Sequence, residues 1–552
     1  KHIYILSQSK LKIIKSYPFI YWISDGFREK FKENSLEKVA KVVSGIKTGN
    51  NYGALRFWWE INFSSSNTRN TIEDNWVQYT KGGPYRRWYG NNWLCVNSRS
   101  DFSYIKSQNS WNIPSSLFLF SEGISYSGSG SKGISFRYIE KHILYDMGAS
   151  CVFPNDNIYY SLAALNSKLV FYVVNSLNPT VNKQPGDVKR IPLASPSIDD
   201  INFLEPLVKN CVNLYKHIDS YSFLELKYLE SPILAFIEND LKKSLRVYLS
   251  LENHNNTHVM LIEAIINEKI FEVYELTDSD KAMVLAKEGE SIGALPVSKD
   301  AKQAYLDNEL PEFPLDNIRA YIEALPEKDF DAAEREKIEN EFPRLYQSNN
   351  DLEEFCIRHQ VNPINVWYWF RESNVIPQQR MNKLAMEFFA DMIREILMED
   401  EDGVIPLIPN AGEKVLLDRI EEKFIEKGFS MAQYSSFDSL LGRELNDYIN
   451  NYFFKALSDH LNLFMYLPKT PFIWHLTSGP EQGFDCYIII YKWSRDKLYS
   501  IRSRYVEQRE RSLQNRQSDL RAKSAPSAAG QIELDKIFKH LKEIETFKEK
   551  ID

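Results

Sequence analysis

The residues best suited to bind a ligand lie between Trp76 and Asn91, in the sequence WVQYTKGGPYRRWYGN. This stretch places three cations and several aromatic rings around the adjacent glycines Gly82 and Gly83. Cations attract phosphate groups, and aromatic faces stack on bases. Glycine lets a backbone approach a ligand closely or adopt positive φ. The stretch therefore predicts a nucleic-acid-reading loop, and the alternative is a twisted hairpin with an aromatic core and solvated charges.

Two further stretches accompany it: GIKTGNNYGALRFWWE at residues 45–60 and LNPTVNKQPGDVKRIP at residues 177–192. In this order the three resemble the target-recognition region of the PglX family, the adenine-specific DNA methyltransferases of BREX phage-defence systems. Related restriction-modification methyltransferases share the pattern. A fourth stretch, TPFIWHLTSGPEQGF at residues 470–484, is similar to a late element of the same family. The resemblance is close over residues 18–195 and returns near residues 470–510.

The resemblance and the residue types together predict a set of DNA-contacting side chains. Arg86 and Arg87 are the best candidates to read guanine, because the planar guanidinium matches O6 and N7 together. Trp88 and Tyr89 either stack on bases or form a hydrophobic floor that orients the arginines. The assignment of residues to bases stays open. The full predicted set is Lys47, Thr48, Asn50, Asn51, Arg56, Lys81, Arg86, Arg87, Trp88, Tyr89, Asn91, Arg137 and Asn182.

The catalytic elements of such an enzyme do not occur in this sequence. An adenine-N6 methyltransferase needs a (D/N/S)PP(Y/F) loop to hold the flipped base, and none of the 23 prolines follows another. The Gly-rich segment Ser125–Gly133 lies in the wrong order for S-adenosylmethionine and lacks the acidic ribose-binding residue. We therefore expect no catalytic residue, metal or cofactor in this chain, although the intact family enzyme uses S-adenosylmethionine, and we expect no activity from the chain alone.

The chain begins at Lys1, in the middle of what reads as an element, so we expect it to be the recognition part of a methyltransferase without its catalytic half. By resemblance, its function is sequence-specific recognition of double-stranded DNA within a BREX-type enzyme that marks host DNA by N6-adenine methylation. The alternative is a stand-alone DNA-specificity subunit of a restriction-modification system, acting with a separate catalytic chain. The implied partners are double-stranded DNA, a methyltransferase catalytic domain or chain, and other BREX proteins.

Charge is distributed unevenly along the chain. The net charge is −8, yet residues 1–200 contain 24 Lys and Arg against 15 Asp and Glu, and the remainder contains 43 against 60. A basic face can bind phosphate while an acidic remainder maintains solubility. No apolar stretch approaches the roughly twenty residues needed to cross a bilayer, so we expect no membrane association. Five cysteines without a C-x-x-C pair indicate a reduced, cytoplasmic protein, and the resemblance implies that the cell is bacterial.

The predicted fold class is α+β, with a β-rich target-recognition domain, a mainly helical C-terminal region and no methyltransferase Rossmann domain. The predicted segments are a connector from a missing catalytic domain at 1–44, the target-recognition domain at 45–195, a helical region at 196–400, an α+β region at 401–523, and a linker with a terminal amphipathic helix at 524–552. That last helix has Ile537, Leu541, Ile544 and Ile551 on one side, which indicates an exposed partner-docking or coiled-coil element.

Two other patterns have ordinary explanations. His254 and His258 have the spacing of a zinc pair on a helix but lack an obvious third ligand, so chance explains them. The sequence Glu421–Lys423 resembles part of a nuclease motif within a helical pattern, which indicates a solvated helix face. Apolar spacing further predicts helices at residues 36–43, 157–177 and 381–399.

Overall fold

Helices and three small sheets make up the computed structural model, which confirms the α+β class. The structure describes residues 7–12, 23–33, 35–61, 76–130, 132–308, 316–347, 351–410, 412–464, 469–522 and 527–551. Part of the predicted connector at 1–44 and the linker residues 524–526 lie outside this set.

The described residues separate into two compact units. Unit 1 comprises those within Lys1–Trp58, Ser65–Glu230 and Arg246–Gln379, and unit 2 comprises those within Trp59–Ser64, Ser231–Leu245 and Arg380–Asp552. The predicted boundary at residue 195 lies inside unit 1, and the predicted five-segment division stays a prediction.

The strands are short and mostly buried. In chain order they are β1 (Ala40–Val43), β2 (Leu55–Phe57), β3 (Trp76–Thr80), β4 (Leu94–Asn97), β5 (Gly123–Tyr126), β6 (Phe136–Ile139), β7 (Leu144–Tyr145), β8 (Cys151–Pro154), β9 (Val404–Pro406), β10 (Ile473–Thr477) and β11 (Asp485–Ile489).

Unit 1 contains two four-stranded sheets. Sheet A has the order β1-β8-β5-β6 and is antiparallel throughout. Sheet B has the order β2-β4-β3-β7, in which β3 and β7 run parallel and place Tyr79 beside Leu144. Every residue of β5 is buried, as are the first three of β4. Strands without an alternating exposed face are covered on both sides, so β4 and β5 lie in the interior of unit 1.

Helices pack around the sheets and continue through both units. In chain order they are α1 (Gln8–Leu11), α2 (Asp25–Glu33), α3 (Leu36–Val39), α4 (Asn51–Ala54), α5 (Arg99–Lys106), α6 (Ile158–Leu165), α7 (Lys168–Leu177), α8 (Pro185–Lys189), α9 (Ile198–Asp219), α10 (Pro232–Ala235), α11 (Leu241–Val273), α12 (Asp278–Glu288), α13 (Lys299–Leu306), α14 (Asp316–Ala324), α15 (Ala332–Glu339), α16 (Leu352–His359), α17 (Pro363–Ser373), α18 (Gln378–Glu399), α19 (Leu416–Glu426), α20 (Met431–Ser436), α21 (Asp438–Leu441), α22 (Leu445–Asp447), α23 (Phe453–His460), α24 (Lys497–Ile501), α25 (Glu507–Arg521) and α26 (Ala528–Ile551).

Two predicted helices of unit 1 differ from the observed elements. The helix expected over residues 157–177 is divided into α6 and α7, because the Ser167 side chain accepts a hydrogen bond from the Val170 N–H and starts a new helix. The helix expected over residues 36–43 ends at Val39, and the following residues form β1. Val42 of that strand pairs with Val152 of β8, so sheet pairing overrides the helical pattern there.

Unit 2 contains sheet C, of order β10-β11-β9, and the helix α18 predicted from apolar spacing. Of the two interpretations of the last helix, the exposed partner-docking element is wrong, because its apolar side packs on α25 within the chain. Ile537, Ile544 and Phe547 of α26 are buried in the same apolar cluster as Leu513 and Leu520 of α25. The apolar face of α26 is therefore already covered within unit 2.

The histidine pair and the cysteines noted in the sequence are buried inside the fold. His254 and His258 lie inside α11 and stack beside Tyr305. No set of three or more His, Cys, Asp or Glu side chains in the described part of the chain is placed to hold a metal ion. All five cysteines are unpaired and buried. None of the described helices combines the length and apolar character needed to span a membrane.

Candidate nucleic-acid interface

The stretches at residues 45–60 and 76–91, which carry the resemblance, meet at one turn of unit 1, residues 146–149. The backbone N–H of Ile46 donates to the Tyr145 carbonyl (2.8 Å), and the Met147 N–H donates back to the Ile46 carbonyl (3.0 Å). From the stretch at residues 76–91, the Thr80 carbonyl accepts a hydrogen bond from the Asp146 N–H at 2.9 Å. The turn after β7 thus joins residues that are separated by about a hundred positions in the sequence.

The third stretch reaches the same turn through the Gly/Ser segment after β5. The Gly128 N–H donates to the Gly148 carbonyl (3.3 Å), and the Gly128 carbonyl accepts from the Lys183 N–H (2.6 Å). Ser129 and Asn182 also pair as an antiparallel bridge. We call the connected segments the loop cluster; they are residues 46–53, 80–83, 127–130, 146–149 and 178–184.

One carboxylate fixes the centre of the loop cluster. Asp146 Oδ2 accepts hydrogen bonds from Lys81 Nζ (2.6 Å) and from the Tyr79 hydroxyl (2.7 Å). Lys81 Nζ also lies 3.4 Å from Asn51 Oδ1, which accepts from the Thr48 hydroxyl at 2.6 Å. Both Lys81 and Asp146 are mostly buried, so this is a charge-assisted contact largely shielded from water. Of the predicted DNA-binding residues, Lys81, Thr48 and Asn51 therefore hold the loops together.

Other predicted residues lie at the surface of the cluster. Lys47, Asn50 and Asn182 are exposed, and Arg56 is half-buried. The Asn50 side chain caps α4 by accepting from the Tyr52 N–H, which holds the turn in place. The Arg56 guanidinium donates to the Tyr52 carbonyl (2.6 Å) and lies over the Trp76 ring (5.6 Å from the centroid). Hydrogen bonds thus fix the backbone that presents Asn50 and Arg56.

Two exposed aromatic rings, those of Tyr52 and Trp111, border this surface, and neither is among the residues predicted from the sequence. Tyr52 is 68% exposed between two glycine-containing segments. Trp111 is also exposed and precedes Asn112, which exchanges two backbone hydrogen bonds with Lys47 (2.8 and 3.0 Å). Tyr52 lies within the sequence TGNNYG, next to predicted residues that carry the resemblance. That position is the signal by which Tyr52 could have been identified.

Arg86 has two carboxylate partners inside unit 1. Its guanidinium contacts the Asp219 carboxylate and lies 3.4 Å from Glu225 Oε1. Although burial opposes the charge, these two carboxylates hold the pKa of Arg86 above its usual value. A Cβ on Gly90, where φ is +115°, would fall 2.6 Å from Arg86 Nε, so glycine makes room for this side chain.

Arg87 and Trp88 share a third carboxylate. Arg87 Nη2 lies 2.8 Å from Glu263 and 2.5 Å from Glu353, while Trp88 Nε1 donates to Glu263 at 2.6 Å. Burial raises the pKa of Glu263, and Arg87 opposes that shift. Trp88 is 1% exposed and has a left-handed φ of 70°, a conformation that the surrounding core must hold in place.

Tyr89, Asn91 and Arg137 are also buried. The Tyr89 hydroxyl donates to Glu140 (3.1 Å), and Asn91 Nδ2 donates to the Pro84 carbonyl (2.9 Å). Arg137 Nη2 donates to Ser127 Oγ (3.0 Å), and burial, with Arg86 nearby, lowers the pKa of Arg137 to about 10. Direct DNA contact by these three residues stays a prediction, as it does for Arg86, Arg87 and Trp88.

The Gly-rich segment before β6 does not have the geometry of a cofactor-binding turn. Its described residues connect the antiparallel strands β5 and β6, whereas a nucleotide cofactor is held by a turn between a strand and a helix N-terminus. These residues therefore do not fit S-adenosylmethionine, and they serve the loop cluster through Gly128 instead.

Sequence comparison with known proteins finds two relatives of this chain. The chain is homologous to adenine-specific methyltransferases. It is 23% identical to the adenine-specific methyltransferase BrxX of Escherichia coli O9:H4 (strain HS) over 533 residues, which are 90% of this chain and 39% of that protein.

It is also 32% identical to the adenine-specific methyltransferase PglX of Lacticaseibacillus casei (strain Zhang) over 209 residues, 35% of this chain and 17% of that protein. No family model matches the chain. The chain thus spans less than half the length of either relative.

Proposed function

We propose that this chain recognises double-stranded DNA in a sequence-specific manner as part of a BREX-type, S-adenosylmethionine-dependent N6-adenine DNA methyltransferase. In this proposal it acts in the bacterial cytoplasm, where methylation marks host DNA and contributes to phage defence. Methyl transfer belongs to a catalytic domain or chain that carries the base-holding loop and works with other BREX proteins. The homology to two adenine-specific methyltransferases supports the reaction class.

The observation that carries the proposal is the convergence of the three stretches in one loop cluster. Backbone hydrogen bonds to the turn at 146–149 hold the segments of the loop cluster together. Lys47, Asn50 and Asn182 are exposed on the surface of that cluster. A cation and two amides are suited to contact phosphates and base edges, since amides donate and accept at adenine and cations neutralise phosphate.

The predicted residues then divide into two roles. Lys47, Asn50, Asn182 and Arg56 contact the duplex. The more deeply placed residues position those side chains through the hydrogen bonds and ion pairs described above: Thr48, Asn51, Lys81, Arg86, Arg87, Trp88, Tyr89, Asn91 and Arg137.

A selection from a random duplex pool followed by anisotropy titrations tests this proposal. On the selected duplex, Lys47→Ala should reduce the slope of log K against log salt by about one if Lys47 holds a phosphate. Asn50→Ala or Asn182→Ala should cost about 1–3 kcal/mol and relax specificity at one base pair if the amide reads a base.

The matched control is Lys141→Ala, which removes an exposed lysine outside the loop cluster. It should bind like the parent at every salt concentration. If the pool yields no enriched sequence, or if all three cluster variants bind as Lys141→Ala does, the assignment of the loop cluster is wrong.

A further inference from the structure

A cavity of about 510 Å³ lies in unit 1 beside the stretch at residues 76–91. Its walls come from the loop after Gly83, the junction of α6 and α7, the end of α12, and α16. The lining residues that matter are Tyr85, Arg87, Lys168, Phe171, Glu288 and Ile357. Pockets that hold small organic ligands enclose on the order of 300–1,000 Å³, so this cavity has the size of a ligand site.

One wall of the cavity gathers positive charge. Lys168 Nζ donates to the backbone carbonyl of Glu288 (3.2 Å), and no described carboxylate lies within ion-pair distance of it. Both carboxylate contacts of Arg87 fall on Nη2. Burial, and then Arg87, lower the pKa of Lys168, and nearby carboxylates only partly oppose that shift. Lys168 is also the first residue of α7, where the helix dipole adds positive potential. An anion would relieve this repulsion.

Part of the remaining lining is apolar. Phe171 and Tyr85 contribute rings, and Ile357 of α16 is half-exposed into the same space. A Cβ on Gly133, where φ is +98°, would fall 2.3 Å from Phe171, so the glycine allows the ring to occupy its place. Such surfaces favour a ligand with a planar body.

We propose that this cavity binds a small organic anion, with its phosphate or carboxylate group on Lys168 and Arg87 and its planar body against Tyr85 and Phe171. The carboxylates of Glu288 and Glu353 also line the cavity and disfavour ligands of high negative charge. A ligand with one anionic group fits best. This inference does not depend on the proposed DNA recognition.

Thermal unfolding with added AMP, inorganic phosphate or adenosine tests the proposal, because a ligand that binds only the folded chain raises its melting temperature. AMP should raise the melting temperature in a saturable manner, phosphate should do so less, and adenosine least. Lys168→Gln should lose the AMP effect, whereas the surface control Lys141→Gln should keep it. The absence of any saturable shift, an equal shift in Lys168→Gln, or a phosphate effect as large as that of AMP would overturn it.

A second measurement needs no variant, so it stands even if Lys168→Gln does not fold. A limiting amount of an acylating reagent at pH 8 is followed by peptide mass spectrometry. Because an amine with a lowered pKa is more often deprotonated, Lys168 should react faster than Lys141, and AMP should protect Lys168 several-fold while leaving Lys141 unchanged. Equal loss of labelling at both lysines, or none at either, would contradict the site.

Discussion

Replacing Arg86 by Met should destabilise unit 1 strongly. Arg86 is 22% exposed, whereas its partners Asp219 and Glu225 are 1% and 4% exposed. Removing one partner of a buried ion pair costs about 3–5 kcal/mol, because a charge remains without compensation. Glu225 keeps its hydrogen bond from Trp93 Nε1 (2.8 Å), and Asp219 Oδ2 has no hydrogen-bond partner among the described residues. The cost falls mainly on Asp219, and we expect about 3 kcal/mol at pH 7.

The pH dependence of this loss has a definite sign. Burial raises the pKa of Asp219 even with Arg86 present. A raised carboxyl pKa means that the folded chain retains a proton that the unfolded chain has released, so stability falls as pH rises through that window. Without Arg86 the pKa rises further. The difference between variant and parent should therefore be largest at neutral pH and shrink towards acid pH, as Asp219 becomes neutral.

Urea unfolding at pH 7 and pH 5 measures both effects. The control is Arg319→Met, since the pair of Arg319 with Glu323 is exposed at both ends and worth at most about 1 kcal/mol. Adding Asp219→Asn to Arg86→Met should recover at least half of the loss. If Arg86→Met resembles the Arg319 variant, or if the second substitution recovers nothing, the network does not carry the stability assigned to it.

Three further substitutions test other parts of the structure. Gly45→Ala should cost about 1–3 kcal/mol by overpacking, because its Cβ would lie 2.3 Å from two backbone carbonyl oxygens, whereas Gly186→Ala meets no atom within 4 Å and should be nearly neutral in urea unfolding. Phe547→Ala should cost about 3–5 kcal/mol through a core cavity, and Phe538→Ala, at a 61% exposed position, under about 1 kcal/mol by the same measurement. Burial lowers the pKa of His254 to about 3. Below about pH 6.5 the unfolded chain therefore binds a proton at this histidine that the folded chain does not bind, and stability falls as pH drops. His254→Phe should reduce that loss of stability in melting curves from pH 7 to pH 4.

Local patterns predicted some elements well. The apolar spacing of residues 381–399 predicted α18 because a single buried stripe determines that helix. Residues 157–177 also have helical spacing, but a serine that caps a helix start lies between the two halves, and spacing alone does not detect it. Residues 40–43 joined a sheet because of a partner strand more than a hundred residues away.

The roles of the arginines depended on distant residues in the same way. The carboxylates that pair with Arg86 and Arg87 are 133 to 266 positions further along the chain. Residue type predicted that these cations would meet negative charge. It could not distinguish a phosphate of a ligand from a carboxylate of α9, α11 or α16, because that choice is made by packing.

The turn at 146–149 has a consequence for redesigning the surface of the loop cluster. Its bonds to Ile46, Thr80 and Gly128 are made by backbone atoms, and every residue except proline supplies the same donor and acceptor. Exposed side chains such as Lys47 and Asn182 can therefore be exchanged while the scaffold beneath them remains intact, whereas Asn50 also caps α4. A library randomised at Lys47 and Asn182 alone should therefore yield folded proteins at high frequency.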